Sequence, residues 1–229
     1  MARNEDYRVL LLTSIPDLLD TITAMTREHF QNVEGIYWEF GNMETKPDVL
    51  KQMEESDYNL IISHINGIIF KRHHLDKAKF GAINLHPAPP EAPGCWGIWC
   101  QPIIRRDMRT HHGVTLHEID EDIDHGPIYA CERWEVGADD TIESVLGKAM
   151  EGCMVMLAFA LKELGASPHG TLCFGESDEK WDGDNGPRGV EDVQEWFAAL
   201  DPSHPAHQER VFLSHPKGIL SPPYFSDMV

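Results

Sequence analysis

A chain of 229 residues with 41% hydrophobic and 25% charged residues can bury one domain plus an appendage, and its composition is that of a soluble globular protein. A formal net charge of -19 argues against nucleic acid as a partner, because binding a polyphosphate needs a concentrated basic surface. Five cysteines without zinc or redox spacing predict reduced thiols, with no metal and no disulfide; no stretch reads as a membrane span, and a start without the apolar core of a signal peptide predicts a cytoplasmic protein.

Tyr7 to Thr13 reads as a buried strand. Ser14, with Pro16 and Asp17, opens a helix whose apolar positions Leu18, Leu19, Ile22 and Met25 keep helical spacing, and an N-cap is the expected role of Ser14. Gly35 to Phe40 is a second strand, Pro47 to Glu55 a second helix and Tyr58 to Ser63 a third strand. Strands interleaved with helices imply a mostly parallel, Rossmann-like α/β sheet with helices on both faces and ligands at the carboxyl ends of the strands. A fourth apolar run, Gly81 to Leu85, ends on Asn84 and His86, which point to the same side of a strand.

Beyond a stiff proline-rich loop, a helix is expected over Ile98 to Arg106, an alternating strand over His112 to Ile119 and another strand over Pro127 to Val136. The acidic loop between these strands holds Asp120, Glu121, Asp122 and Asp124; it lacks the twelve-residue calcium-loop pattern, so no metal is expected there. His112 and His117 fall on opposite sides of the pleat, which argues against a shared metal; His117 lies on the side of Thr115, which leaves support of the site open, but the plainer reading is a packed or surface residue. A long helix from Thr141 to Leu164 has Thr141 as N-cap, a broad apolar face and Gly165 as its stop. Residues 1–165 are therefore expected to form the main domain, and residues 166–229 a small irregular extension holding one short helix, Val190 to Leu200. The extension is open to three roles: cap over a site, dimer contact, or packing on the sheet.

Asn84, His86 and Asp124 suit acyl-type transfer. An amide NH2 stabilises negative charge on a carbonyl oxygen under attack, an imidazole moves a proton, and a carboxylate orients that imidazole and favours its charged form.

The order Asn84-Leu85-His86-Pro87, Gly97, Gly113-Val114-Thr115-Leu116, Asp122-Ile123-Asp124-His125-Gly126 and a closing helix resembles the folate-dependent formyltransferase family, over about residues 7–165. The resemblance implies that Asn84, His86 and Asp124 are catalytic and that the donor is 10-formyltetrahydrofolate. It implies that Gly67, Ile68, Ile69 and Phe70 line the pteridine slot, and that Glu121, Asp122 and Ile123 close over the pteridine with their backbone. The loop Ala88 to Gly97 is longer than the family's, so Trp96 and Trp99 are candidate walls of the acceptor pocket. Members that act on glycinamide ribonucleotide carry a Gly/Ser/Asn-rich phosphate loop after the first strand, and Thr13-Ser14-Ile15-Pro16-Asp17 has no glycine; members that act on tRNA carry a basic C-terminal domain, and this extension is acidic. The implied activity is formyl transfer to a primary amine of a small metabolite, either an amino sugar nucleotide or an amino-acid-like acceptor. Hydrolysis of 10-formyltetrahydrofolate and non-catalytic folate binding remain the alternatives.

Overall fold

The computed structural model describes residues 6–94, 97–105, 110–167, 174–175, 177–182 and 189–214. The strands are β1 (Arg8–Thr13), β2 (Asn32–Tyr37), β3 (Leu60–His64), β4 (Ala82–His86), β5 (His111–Glu118) and β6 (Ile128–Glu135). They form one sheet in the order β2-β1-β3-β4-β5-β6, parallel from β2 to β4 and antiparallel between β4 and β5. The helices are α1 (Leu19–Arg27), α2 (Lys46–Glu55), α3 (Arg72–Lys77), α4 (Gln101–Ile104), α5 (Ile142–Ala166), α6 (Val190–Ala198) and α7 (Arg210–Leu213).

Two compact units emerge. The first gathers the described residues of 1–86, 115–130 and 153–180, and the second those of 87–114, 131–152 and 181–229. In the first unit Leu10, Leu12, Ile61 and Ala82 from three neighbouring strands pack against Val49 and Met53 of α2. The near-continuous apolar runs of β1 and β3 follow from a central position between two strands, with both faces covered. In the second unit Cys100, Ile103 and Ile104 pack with Val193, Phe197, Ala206 and Leu213, so the described part of the extension contributes α6, a 3-10 turn and α7 to a core.

Several sequence expectations shift. β2 begins at Asn32, not Gly35, because its register on β1 runs from Arg8↔Asn32 to Thr13↔Tyr37. Gly35 then lies mid-strand, where a Cβ would come within 2.6 Å of Thr23 Oγ1 on α1; the glycine permits that close approach. Ser14 is not an N-cap: a 3-10 turn, Pro16–Leu18, precedes α1, Ile15 occupies the cap position, and the Ser14 amide donates to the Ile65 carbonyl at 3.0 Å. The helix expected from Ile98 to Arg106 contracts to α4, with Arg106 outside the described residues. Helix α3 carried no sequence expectation.

Thr141 does cap α5: its hydroxyl accepts from the Ser144 amide at 3.1 Å and the Ser144 hydroxyl accepts from the Thr141 amide at 2.9 Å. Gly165 does not stop the helix, which reaches Ala166; a Cβ there would meet His29 Nδ1 at 3.0 Å, so this glycine also serves close packing. The expectation that no stretch reaches membrane-span length fails on length and composition, since α5 has 25 apolar-rich residues. Its buried residues Val145, Ala149, Cys153, Met156, Ala160 and Leu164 nevertheless recur at helical spacing, while Glu143, Lys148, Glu151 and Lys162 are exposed, which is the pattern of a core helix.

Candidate active site

The antiparallel register of β4 on β5 sets Asn84 opposite His117 and His86 opposite Thr115. Directly opposed residues share a face, so alternation along both strands delivers Asn84, His86 and His117 to one side of the sheet at the carboxyl end of β4. Asp124 enters from the loop after β5, and its carboxylate bridges the two imidazoles: Oδ2 lies 3.4 Å from His86 Nδ1 and Oδ1 lies 3.3 Å from His117 Nε2. All three side chains are more than nine-tenths buried, so the charge on Asp124 acts in a medium far less screening than water.

For His117 the sequence favoured a packed or surface role over support of the site; the structure brings it beside Asn84 and Asp124. Its Nδ1 lies 2.7 Å from the Glu118 carbonyl oxygen, which places a proton on that nitrogen, and its Nε2 faces Asn84 Nδ2 at 3.0 Å as well as Asp124. A bare Nε2 accepts from the amide; a protonated one donates to the carboxylate. Asn84 Oδ1 is buried with no hydrogen-bond partner. Turning the amide over would set Oδ1 against a protonated Nε2 and leave both amide hydrogens for a substrate oxygen. The signal in the sequence was the i, i+2 spacing with Thr115; the missing fact was that β5 pairs antiparallel with β4.

Loop geometry explains why the acidic segment singles out Asp124. Asp120 Oδ1 accepts from the Asp122 amide at 3.0 Å, turning the chain, and Asp120 Oδ2 holds His125 Nδ1 at 2.8 Å. Asp124 follows at φ 47°, a left-handed conformation that Asp tolerates better than most side chains. Gly126 passes directly over Glu118: a Cβ there would sit 2.1 Å from the Glu118 carbonyl oxygen, the same atom that fixes the His117 proton. The Glu118 amide then donates to the Pro127 carbonyl at 2.9 Å and closes the loop.

Of the residues assigned to the pteridine slot, Ile68 and Phe70 are buried in the core with Trp38, whereas Ile69 is 41% exposed. The Phe40 ring covers Gly67, where a Cβ would lie 2.2 Å from Phe40 Cε2. Glu121, Asp122 and Ile123 are exposed on the loop that carries Asp124. Trp99 is partly buried against Ala88, Ala92 and Ile98 in the second unit; Trp96 lies outside the described residues. Among the described residues Glu54, His73 and His74 are the one group close enough to share a metal ion. His74 Nδ1 accepts from the Lys71 amide at 3.1 Å, so Nε2 must carry the proton and offers no lone pair, and the donor set does not fit a metal.

Residues 22–156, more than half of the chain, match the formyl transferase family. The chain belongs to that family. Similar solved structures include a 4-N formyltransferase from Francisella tularensis, at a TM-score of 0.63 and 16% identity over 86% of this chain and 81% of that one. The formyltransferase PseJ from Anoxybacillus kamchatkensis, in complex with UDP-4,6-dideoxy-4-formamido-L-AltNAc and tetrahydrofolate, aligns at 0.59 and 16% identity over 86% and 94%. A phosphoribosylglycinamide formyltransferase from Bacillus halodurans aligns at 0.55 and 19% identity over 69% of this chain and 96% of that one. No curated protein sequence matches significantly. These formyl transferases share the α/β fold of this chain, and membership makes it an enzyme of one-carbon transfer.

Proposed function

We propose that this formyl transferase moves the formyl group of 10-formyltetrahydrofolate to the primary amine of an amino sugar, with Asn84, His86 and Asp124 as the catalytic residues and His117 as a positioning residue. The observation that carries the reading is the single buried carboxylate of Asp124 held between His86 and His117, beside the Asn84 amide. The complex of PseJ with a formamido sugar nucleotide and tetrahydrofolate supports the choice of donor and acceptor class. The backbone of Gly67 to Phe70 and of Glu121 to Ile123 is assigned to the pteridine; the exposed side chains of Ile69 and Ile123 suit that role, and Ile68 and Phe70 support the slot from below.

The donor supplies an activated formyl carbon. Asn84 donates its amide hydrogens to the formyl oxygen, where negative charge develops as the amine attacks. Asp124 orients His86 through Nδ1, leaving Nε2 to donate to that oxygen and then to return a proton to N10 as the old C–N bond breaks. The proton lost by the amine goes to Asp124, directly or through one water, so the new C–N bond forms with protons in balance. Burial strengthens each of these interactions.

Incubation with 10-formyltetrahydrofolate and a panel of amino sugars, amino sugar nucleotides and amino acids tests the reading by mass. A gain of one CO on an amino sugar is expected. Gain on amino acids alone overturns the acceptor class, and release of tetrahydrofolate at full rate without any amine makes the enzyme a hydrolase.

A further inference from the structure

The loop that delivers Asp124 is tied by a residue that the transfer chemistry does not use. Its base is closed by the main chain, where the Glu118 amide donates to the Pro127 carbonyl at 2.9 Å. Within that base the Asp120 carboxylate spans the turn: Oδ1 accepts from the Asp122 amide at 3.0 Å, and Oδ2 accepts from His125 Nδ1 at 2.8 Å. Asp124 therefore lies between two residues that are held by one carboxylate. His125 and Asp124 are adjacent in the chain yet occupy opposite surroundings. The His125 side chain is 68% exposed, whereas that of Asp124 is 9% exposed and reaches the two buried imidazoles.

Three features make the position of Asp124 depend on such a tie. Its backbone is left-handed, at φ 47°, a conformation that a residue other than glycine keeps only where its surroundings fix it. Its contacts, 3.4 Å to His86 and 3.3 Å to His117, exceed the about 2.7–2.9 Å of a full charge-assisted hydrogen bond, so a shift of a few tenths of an ångström decides whether the carboxylate still orients His86. Like charge is the third: Asp120, Glu121 and Asp122 share the loop with Asp124, and their repulsion spreads it unless a cation enters. His125 supplies that cation. The hydrogen bond to Asp120 first, then the charge of that carboxylate and of Asp122, hold the imidazole above its ordinary value, so at neutral pH more of it is charged than of a free histidine. Its neutral form still donates through Nδ1, so the tie weakens on deprotonation without being lost. Arg72 of α3 also meets the loop, 4.0 Å from Glu121, but its nearer partner is Asp76 at 2.9 Å.

Resting on the formyl-transfer reading, we propose that His125 is a positioning residue for Asp124: by donating Nδ1–H to Asp120 it locks the acidic loop with the Asp124 carboxylate against His86 and His117. An exposed pair of this kind restrains a loop modestly, so its loss lowers the share of molecules with Asp124 in place by about three- to fivefold and leaves the fold intact.

Two variants of the full chain test this. His125→Ala removes the donor, whereas His125→Asn presents a side-chain amide N–H close to where Nδ1 stood. At saturating donor, His125→Ala is expected to lower kcat about three- to fivefold with KM for the amine within about twofold and Tm unchanged, and His125→Asn to restore kcat. An unchanged kcat, a loss that asparagine does not restore, or an effect on the amine KM alone would overturn the assignment. NMR spectra of the ligand-free protein supply a readout without turnover. The Asp124 backbone amide and the His86 ring resonances are expected to move in His125→Ala and to return in His125→Asn; resonances that stay in place in both variants exclude a positioning role. A wild-type chain that formylates no amine refutes the preceding reading, and the same resonances still decide the role of His125.

Discussion

Two neighbouring pairs of strands in one sheet treat their polar groups in opposite ways. At β4 and β5 the side chains satisfy one another: Asp124 holds two imidazoles, His117 is anchored to the Glu118 carbonyl, and a charge is buried only because it is surrounded. At the carboxyl ends of β1 and β3, by contrast, the Ser14 hydroxyl and both ring nitrogens of His64 are buried without hydrogen-bond partners. In the proposed mechanism the groups that move protons are held in position before substrate arrives, so little reorganisation accompanies the chemical step.

The sharpest break is Asp124→Asn. Asparagine tolerates the left-handed backbone at position 124, so folding should persist while turnover falls about a thousandfold, measured as amine-dependent tetrahydrofolate release. His117→Phe keeps the ring volume but frees the carboxylate from one side; turnover should fall about a hundredfold with a changed pH profile, while KM for the acceptor stays within about twofold. If KM moves instead, His117 acts on acceptor binding rather than on the chemical step.

The buried imidazole of His64 should reveal itself in acid. His64 binds its proton near pH 4 when folded and near 6.5 when unfolded, so the unfolded chain takes up protons first. Its contribution is therefore complete above pH 6.5 and declines as pH falls toward 4, by at most about 3 kcal/mol. Urea unfolding at pH 7 and pH 5 should differ by about 2 kcal/mol, a difference that His64→Gln reduces; an unchanged difference would assign the acid sensitivity to other groups. A further test lies in the loop after β5. Gly126→Ala must push the Glu118 carbonyl aside, costing about 1–3 kcal/mol of stability and disturbing His117, and calorimetry together with turnover would register both.

Much of this was legible in the chain. Apolar runs and helical spacing gave the interleaved elements, alternation put Asn84 and His86 on one side, and motif order picked Asp124 out of four acids. Support of the site was only the lesser reading of His117, because its placement beside Asn84 depends on a register across β4 and β5, and single strands do not encode their partners. Ser14 was misread as a cap because a serine before a proline and an aspartate is locally a helix start; its amide is instead taken by a residue 51 positions away. Gly35 and Gly165 likewise answer to distant neighbours, Thr23 and His29, that no local pattern announces.

The interleaving of the two units bears on how the chain comes together during synthesis. Each unit is assembled from separate stretches, so neither is complete when the first 86 residues have left the ribosome. Ile103 and Ile104 must wait for Val193, Phe197 and Leu213 before their shared core can close, a separation of about a hundred residues. At a synthesis rate of about 5–20 residues per second, that interval leaves apolar surface uncovered for about 5–20 seconds, a window in which chaperones can bind the nascent chain.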